Sequence, residues 1–312
     1  MDRLRGWCWV SAVLLLPLMG CSRSAGPAEP STFDGKYPVE VTCTTGMVAD
    51  MVRAIGGEKV QVSQLMGEGV DPHLYKASPG DISKLEQADV IVYSGLHLEG
   101  KLAEILERMA DRKRVWAVAD GVDSAKLLRD AGGTVDPHLW FDVALWSTGV
   151  HGVARALTAY DPSGKEFYEA NAAKYSAKLA ELDVEAKKAI ARIPESKRVL
   201  VTAHDAFGYF ARAYGLEVKS IQGISTDSEG GLKEINELVR FLVERKINAV
   251  FAENIINDRN IRSLVEGCKA KDHEVKVGGE LYSDALGKTG SPQGTYAGMI
   301  RHNIDVIVGS LQ

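Results

Sequence analysis

Short apolar runs alternate along this chain with segments whose apolar positions recur every three or four residues. The runs read as buried parallel strands and the periodic segments as helices laid on them. Val39 to Thr42, Val60 to Met66, Val90 to Tyr93 and Val115 to Val118 are the first four expected strands. Helices are expected at Val48 to Ile55, Asp81 to Gln87 and Leu102 to Met109, the first stopped by Gly56-Gly57. Between Pro162 and Pro194 no proline interrupts a stripe of Tyr168, Ala172, Tyr175, Leu179, Leu182, Ala186, Ala189 and Ile193. That spacing predicts a helix of about 30 residues, roughly 45 Å long. Such a helix is too long for a crossover within one sheet and suits a rod between two lobes.

The alternation then restarts. Val199 to Thr202, Glu217 to Ile221, Ala249 to Ala252 and Val275 to Val277 read as strands. Ala206 to Tyr214, Leu232 to Arg245, Ile261 to Lys269 and Tyr296 to Leu311 read as helices. The expected fold class is α/β, with two lobes, each a mainly parallel sheet flanked by helices, joined by one long rigid α-helix. The lobes are expected at residues 38–163 and 195–312, and the connecting helix at 164–194. Ligands of such sheets bind at the carboxyl ends of the strands, here facing an interlobe cleft.

The head of the chain is an address. Arg3 and Arg5 precede an apolar run from Trp7 to Met19, the pattern of an export signal over residues 1–20 and too short for a membrane span. Leu18-Met19-Gly20-Cys21 resembles a bacterial lipobox, which would make Cys21 the lipidated residue and a membrane anchor. The alternative is plain signal cleavage with Cys21 an ordinary thiol. Residues 21–37, rich in Ser, Pro, Gly and Ala, read as a tether. The product would lie in the cell envelope, facing the periplasm or exterior.

Net charge is −5 with both signs interspersed, so nucleic acid has no basic footprint to bind. Cys43 and Cys268 are the only cysteines beyond the head, and no Cys-x-x-Cys is present. They are either one bridge or two buried small hydrophobes, and the second is expected.

Two copies of one motif carry the chemistry. Asp71-Pro72-His73-Leu74-Tyr75 returns as Asp136-Pro137-His138-Leu139-Trp140. Proline fixes φ and biases the residue before it towards extended backbone, so each copy holds one imidazole on a stiff turn. Ala203-His204-Asp205 follows the first strand of the second lobe, and Leu281-Tyr282-Ser283-Asp284 follows its last. Three imidazoles and a carboxylate suit Zn(II) or Mn(II). Asp71, Asp136, Asp142, Asp205 and Glu253 are candidates to orient the imidazoles, though sequence does not pair them. His97, His151, His273 and His302 read as ordinary surface or hydrogen-bonded histidines. Asp284 on spacing alone would be a cap or turn residue.

Asp71 to Tyr75, Gly95-Leu96-His97-Leu98-Glu99, Asp136 to Asp142, Ala203-His204-Asp205-Ala206-Phe207 and Leu281 to Leu286 together resemble the metal-binding lipoproteins of bacterial manganese and zinc ABC importers. These are the cluster A-I solute-binding proteins, some long called adhesins. The resemblance spans essentially the whole mature chain. It implies metal ligands at His73, His138, His204 and Asp284, one Zn2+ or Mn2+ per chain as cargo, an ABC-importer membrane permease as partner, and a monomer. Many zinc-specific members carry a His- and Asp-rich loop before the second ligand, whereas residues 120–135 here hold no histidine. Many manganese-specific members place Glu where this chain has His204. The match is closest to spirochaete-type members with three His and one Asp, which implies zinc, manganese or both.

Two other functions compete. An envelope metal-dependent hydrolase needs an open metal position for water, which four protein ligands would fill. His-Glu-x-x-His and Gly-x-Ser-x-Gly are both absent. A surface adhesin with a structural metal would need a staple that a chain this size does without. The expectation is therefore a metal carrier that is not an enzyme, with small lobe tilts and local motion near His204 or Asp284 on release.

Overall fold

The computed structural model describes residues 32–228 and 230–312. The expected signal segment, Cys21 and most of the expected tether lie outside the described residues. Within that tether Phe33 and Tyr37 are already docked. Phe33 packs edge-on against Tyr160, and the Tyr37 hydroxyl donates to Asp161 at 2.7 Å. Two aromatic rings with an apolar lobe beneath them bury area that a Ser- and Gly-rich linker cannot.

The first lobe holds β1 (Val39–Cys43), α1 (Gly46–Gly56), β2 (Val60–Gln64), α2 (Pro79–Gln87), β3 (Val90–Tyr93), α3 (Ala103–Ala110) and β4 (Arg114–Ala117). Its four strands are all parallel in the order β2-β1-β3-β4. α2 begins with a reciprocal cap in which Ser78 and Asp81 satisfy each other's backbone N–H groups.

The run after the second Asp-Pro-His motif, to which periodicity assigned no element, is an 18-residue helix, α4 (Val143–Tyr160). Asp142 caps it by accepting from the Leu145 N–H at 2.9 Å. β4, α1 and the long helix α5 (Lys165–Ile190) cover most of it and leave a narrow exposed stripe of Ala144, Thr148, His151, Arg155 and Ala159. Gly149 permits the closest approach, since a Cβ there would lie 2.6 Å from Val118.

α5 has 26 residues, about 39 Å, and ends at Ile190 in a turn rather than running on to Pro194. It packs against α1 and α4 on one side and α9 (Tyr296–Leu311) on the other. The largest apolar core is continuous from β1 through α4 and α5 to α9. The two lobes are therefore welded along the rod rather than hinged on a linker.

The second lobe contains β5 (Val199–Thr202), α6 (Gly208–Tyr214), β6 (Glu217–Ser220), α7 (Leu232–Arg245), β7 (Ala249–Glu253), α8 (Arg259–Lys269) and β8 (Lys276–Leu281). β5 pairs β6 and β7 pairs β8, both in parallel, with β5 and β7 side by side. β8 extends beyond the expected Val277 through Gly278-Gly279 to Leu281. A Cβ on Gly278 would meet Ser310 at 2.6 Å and one on Gly279 would meet Val306 at 2.7 Å, so the glycines let α9 lie directly on the strand. Cys43 and Cys268 are buried and unbridged. Among the described residues no helix is long and apolar enough to cross a membrane.

Candidate metal centre

Each Asp-Pro-His copy folds as the same small device. Proline has no N–H, and the aspartate before it accepts the N–H of the histidine after it instead. Asp71 Oδ1 takes the His73 N–H at 2.9 Å, and Asp136 Oδ1 takes the His138 N–H at 2.9 Å. The motif thus fixes the backbone that carries each imidazole. Asp136 does more than Asp71, because its Oδ1 is also 2.8 Å from His138 Nδ1.

His204 leaves the end of β5, where the Thr202 hydroxyl donates to its carbonyl at 2.9 Å. Glu253, at the end of β7, takes the His204 N–H at 2.8 Å and contacts Nδ1 at 2.5 Å. Asp284 follows β8 on a segment tied across to the first lobe. Trp140 Nε1 donates to the Ser283 carbonyl at 3.0 Å, and the Tyr296 hydroxyl donates to the Trp140 carbonyl at 2.6 Å. Tyr209 completes the weld by donating to the Asp136 carbonyl at 2.9 Å, and Phe141 stacks on Phe207 with ring centres 4.4 Å apart.

The folded chain brings His73, His138, His204 and Asp284 together, with one donor atom from each lying within 4.8 Å of all the others. They are 5, 0, 0 and 1 % exposed. The Nε2 atoms of His73 and His138 are 3.3 Å apart. Asp284 Oδ2 is 3.2 Å from His73 Nε2 and 3.4 Å from His204 Nε2, and Oδ1 is 3.6 Å from His138 Nε2. A tetrahedron of zinc-length bonds, about 2.0–2.1 Å, has edges of about 3.3–3.4 Å. Both Asp284 oxygens and His204 Nε2 are buried without a hydrogen bond. Buried polar atoms are rarely left so, and three that converge on one point have the disposition of ligand atoms.

The charges agree with that geometry. Burial would lower the His138 pKa, yet the carboxylates of Asp284 and Asp136 outweigh it and raise it to about 9. For His204 burial is likewise overcome by Glu253 and Asp284, and its pKa lies well above the ordinary value. Asp284 itself, although burial opposes ionisation, is held well below the usual carboxylate range by His204 and His138. The pocket sets one anion, Asp284, between His138 and His204, two imidazoles that favour their protonated form and whose protons a divalent cation would displace.

Of the five acids considered as orienting groups, Asp136 and Glu253 hold imidazole nitrogens and Asp71 holds only backbone of its histidine. Asp142 caps α4 and pairs with Arg212 at 3.2 Å. Asp205, largely buried, has its pKa raised by burial first and by Asp136 next. The other histidines stay apart from the cluster. His273 and His302 bond carbonyls of Ile247 and Glu280, while His97 and His151 are exposed. Sequence reasoning missed Trp140, Tyr209 and Tyr296 as supports, because their partners are backbone carbonyls set by tertiary packing. The aromatic that closes the second motif was the only signal.

The family described as zinc-uptake complex component A, periplasmic, matches residues 41–310. The manganese-binding lipoprotein MntA of Bacillus subtilis (strain 168) is 48% identical over 275 residues, covering 88% of this chain and 90% of the relative. The zinc-binding protein TroA of Treponema pallidum (strain Nichols) is 42% identical over 301 residues, covering 96% and 97%. Among solved structures, the periplasmic zinc binding protein TroA from Treponema pallidum superposes with a TM-score of 0.86 at 43% identity, covering 88% of this chain and 99% of that one.

Proposed function

The chain belongs to the zinc-uptake complex component A family, and on that premise we propose that it captures one Zn2+ or Mn2+ ion outside the cytoplasm and delivers it to the membrane permease of an ABC importer. The metal is cargo. The protein is a binding protein and not an enzyme, and neither the hydrolase nor the adhesin reading is needed.

The observation that carries this reading is the convergence of four buried donors, with both Asp284 oxygens and His204 Nε2 unpartnered. We assign His73, His138, His204 and Asp284 as the ligands. Two come from each lobe, so a bound ion bridges the lobes at the cleft. In this reading residues 38–163 and 195–312 act as the lobes and residues 164–194 as the rod. The chain works as a monomer anchored by lipid on Cys21, which keeps its cargo close to the permease.

The imidazole set binds without a vacant position for water when Asp284 coordinates, which suits storage and transfer rather than hydrolysis. Release requires ligands to part, and the continuous core along α5 confines that movement to the cleft.

The test is metal uptake by cells whose own copy is deleted and replaced. Restoring the wild-type chain should restore accumulation of radioactive zinc or manganese, and Asp284→Ala should not. Uptake independent of the chain would overturn the proposal.

A further inference from the structure

The three imidazoles are not held equally. His138 and His204 each have a buried carboxylate behind Nδ1, Asp136 at 2.8 Å and Glu253 at 2.5 Å. Among the described residues nothing hydrogen-bonds the Nδ1 of His73; only its backbone N–H is held, by Asp71. His73 is also the most exposed of the four, at 5 %.

The two sides of the cleft differ in the same sense. Behind His138 and Asp284 the lobes are joined by fully buried aromatics, Trp140, Phe141, Phe207, Tyr209 and Tyr296. Beside His73 the lobes face each other across a polar groove of about 650 Å³, lined in part by Asp71, Leu74, Gln222, Thr226 and Asn257. One polar link crosses it, and a second joins the lobes through the neighbouring residue Asp227. The Thr226 hydroxyl donates to Asp71 Oδ2 at 2.6 Å, and Lys101 meets Asp227 at 3.1 Å. The second pair is about half exposed and so contributes little. The first is short, shielded and made to a carboxylate, the stronger kind of hydrogen bond.

We propose that His73 is the ligand that parts to let the ion in and out, and that the Thr226–Asp71 hydrogen bond is the latch that holds this side of the cleft closed. Asp71 links the two: one oxygen grips the His73 backbone and the other grips the opposite lobe. When the latch opens, the turn bearing His73 swings away while His138, His204 and Asp284 stay on their buried supports. Thr226 is thus a positioning residue that acts through Asp71. The moving ligand is His73, not the His204 or Asp284 expected from the sequence.

This inference rests on the reading of the chain as a metal-delivery protein. The test is stopped-flow kinetics of Zn2+ binding, and of its release into a chelator, for the wild type, Thr226→Val, Thr226→Ala and Thr226→Ser. A gate is crossed in both directions. Removing the hydroxyl should therefore speed release about tenfold and also speed binding, so that Kd changes less than either rate. Thr226→Ser should restore both rates. A hydroxyl that merely steadies the fold would alter release without speeding entry. Release unchanged in either variant lacking the hydroxyl, or faster release without faster entry, in chains that bind one Zn2+, would overturn the latch alone. A wild-type chain that binds no Zn2+ would overturn the function and the latch with it.

Discussion

His204 and Glu253 are joined twice, Nδ1 to Oε2 at 2.5 Å and backbone N–H to Oε1 at 2.8 Å, across 49 residues of sequence. The pair welds the ends of two neighbouring strands and fixes Nε2 as the free face of the imidazole.

Glu253→Gln keeps the shape and removes the charge behind the ring. Metal affinity should fall about 10–100-fold while the fold persists, since carboxylates of this kind orient and strengthen a ligand imidazole. Competition against a chelator of known affinity, with circular dichroism beside it, measures both. An unchanged affinity would show that Glu253 supports only the backbone.

Loading should release protons. His138 lies near 9 and His204 well above its ordinary value without metal, so both are protonated at neutral pH and must lose the proton to coordinate. Calorimetry in buffers of different ionisation enthalpy should read about two protons per ion at pH 7, with affinity falling as pH falls. A raised pKa stabilises the metal-free fold fully below the unfolded value of about 6.5, and that stability is lost as pH rises through about 9. Melting of the metal-free protein should therefore fall over that window. A flat profile would contradict the assignment.

Trp140→Phe removes the indole N–H from the Ser283 carbonyl and leaves that carbonyl buried. The expected cost is about 1–3 kcal/mol of stability, with metal affinity also reduced because Ser283 precedes the ligand Asp284. Urea unfolding of the metal-free variant measures the first and chelator competition the second. Loss of stability with affinity intact would detach Trp140 from the site.

Much of this was legible in the chain itself. The repeated Asp-Pro-His motif announced two stiff histidines because proline and an Asx turn act locally, within three residues. Strands β3 and β5 fell where their apolar runs placed them. α4 did not, since its exposed stripe is narrow and begins and ends in alanine, Ala144 and Ala159, which leaves periodicity a weak polar signal. β8 was read short because its apolar run stops at Val277, whereas Gly278 and Gly279 continue the strand where α9 lies directly on it. The contrast between Asp71 and Asp136 could not be read at all. Their local sequences match, and only the tertiary placement decides which carboxylate also reaches the ring.

Zinc should displace manganese. The ligand-atom edges of 3.2–3.6 Å around Asp284 suit bonds of zinc length, and Zn2+ stands above Mn2+ in affinity at a nitrogen and oxygen site. Titrating Zn2+ into Mn2+-loaded protein, followed by the paramagnetic signal of released Mn2+, should show stoichiometric exchange. Resistance to exchange would mean that the pocket imposes a coordination that zinc does not accept.

The most direct measurement is the metal content of the chain from Ser22 onward after loading with Zn2+ and removal of excess, beside His138→Ala, Asp284→Ala and His151→Ala. The account predicts one ion per chain in the wild type and in His151→Ala, and loss or marked weakening in the other two. No ion in the reloaded wild type, or full retention in both His138→Ala and Asp284→Ala, would contradict it.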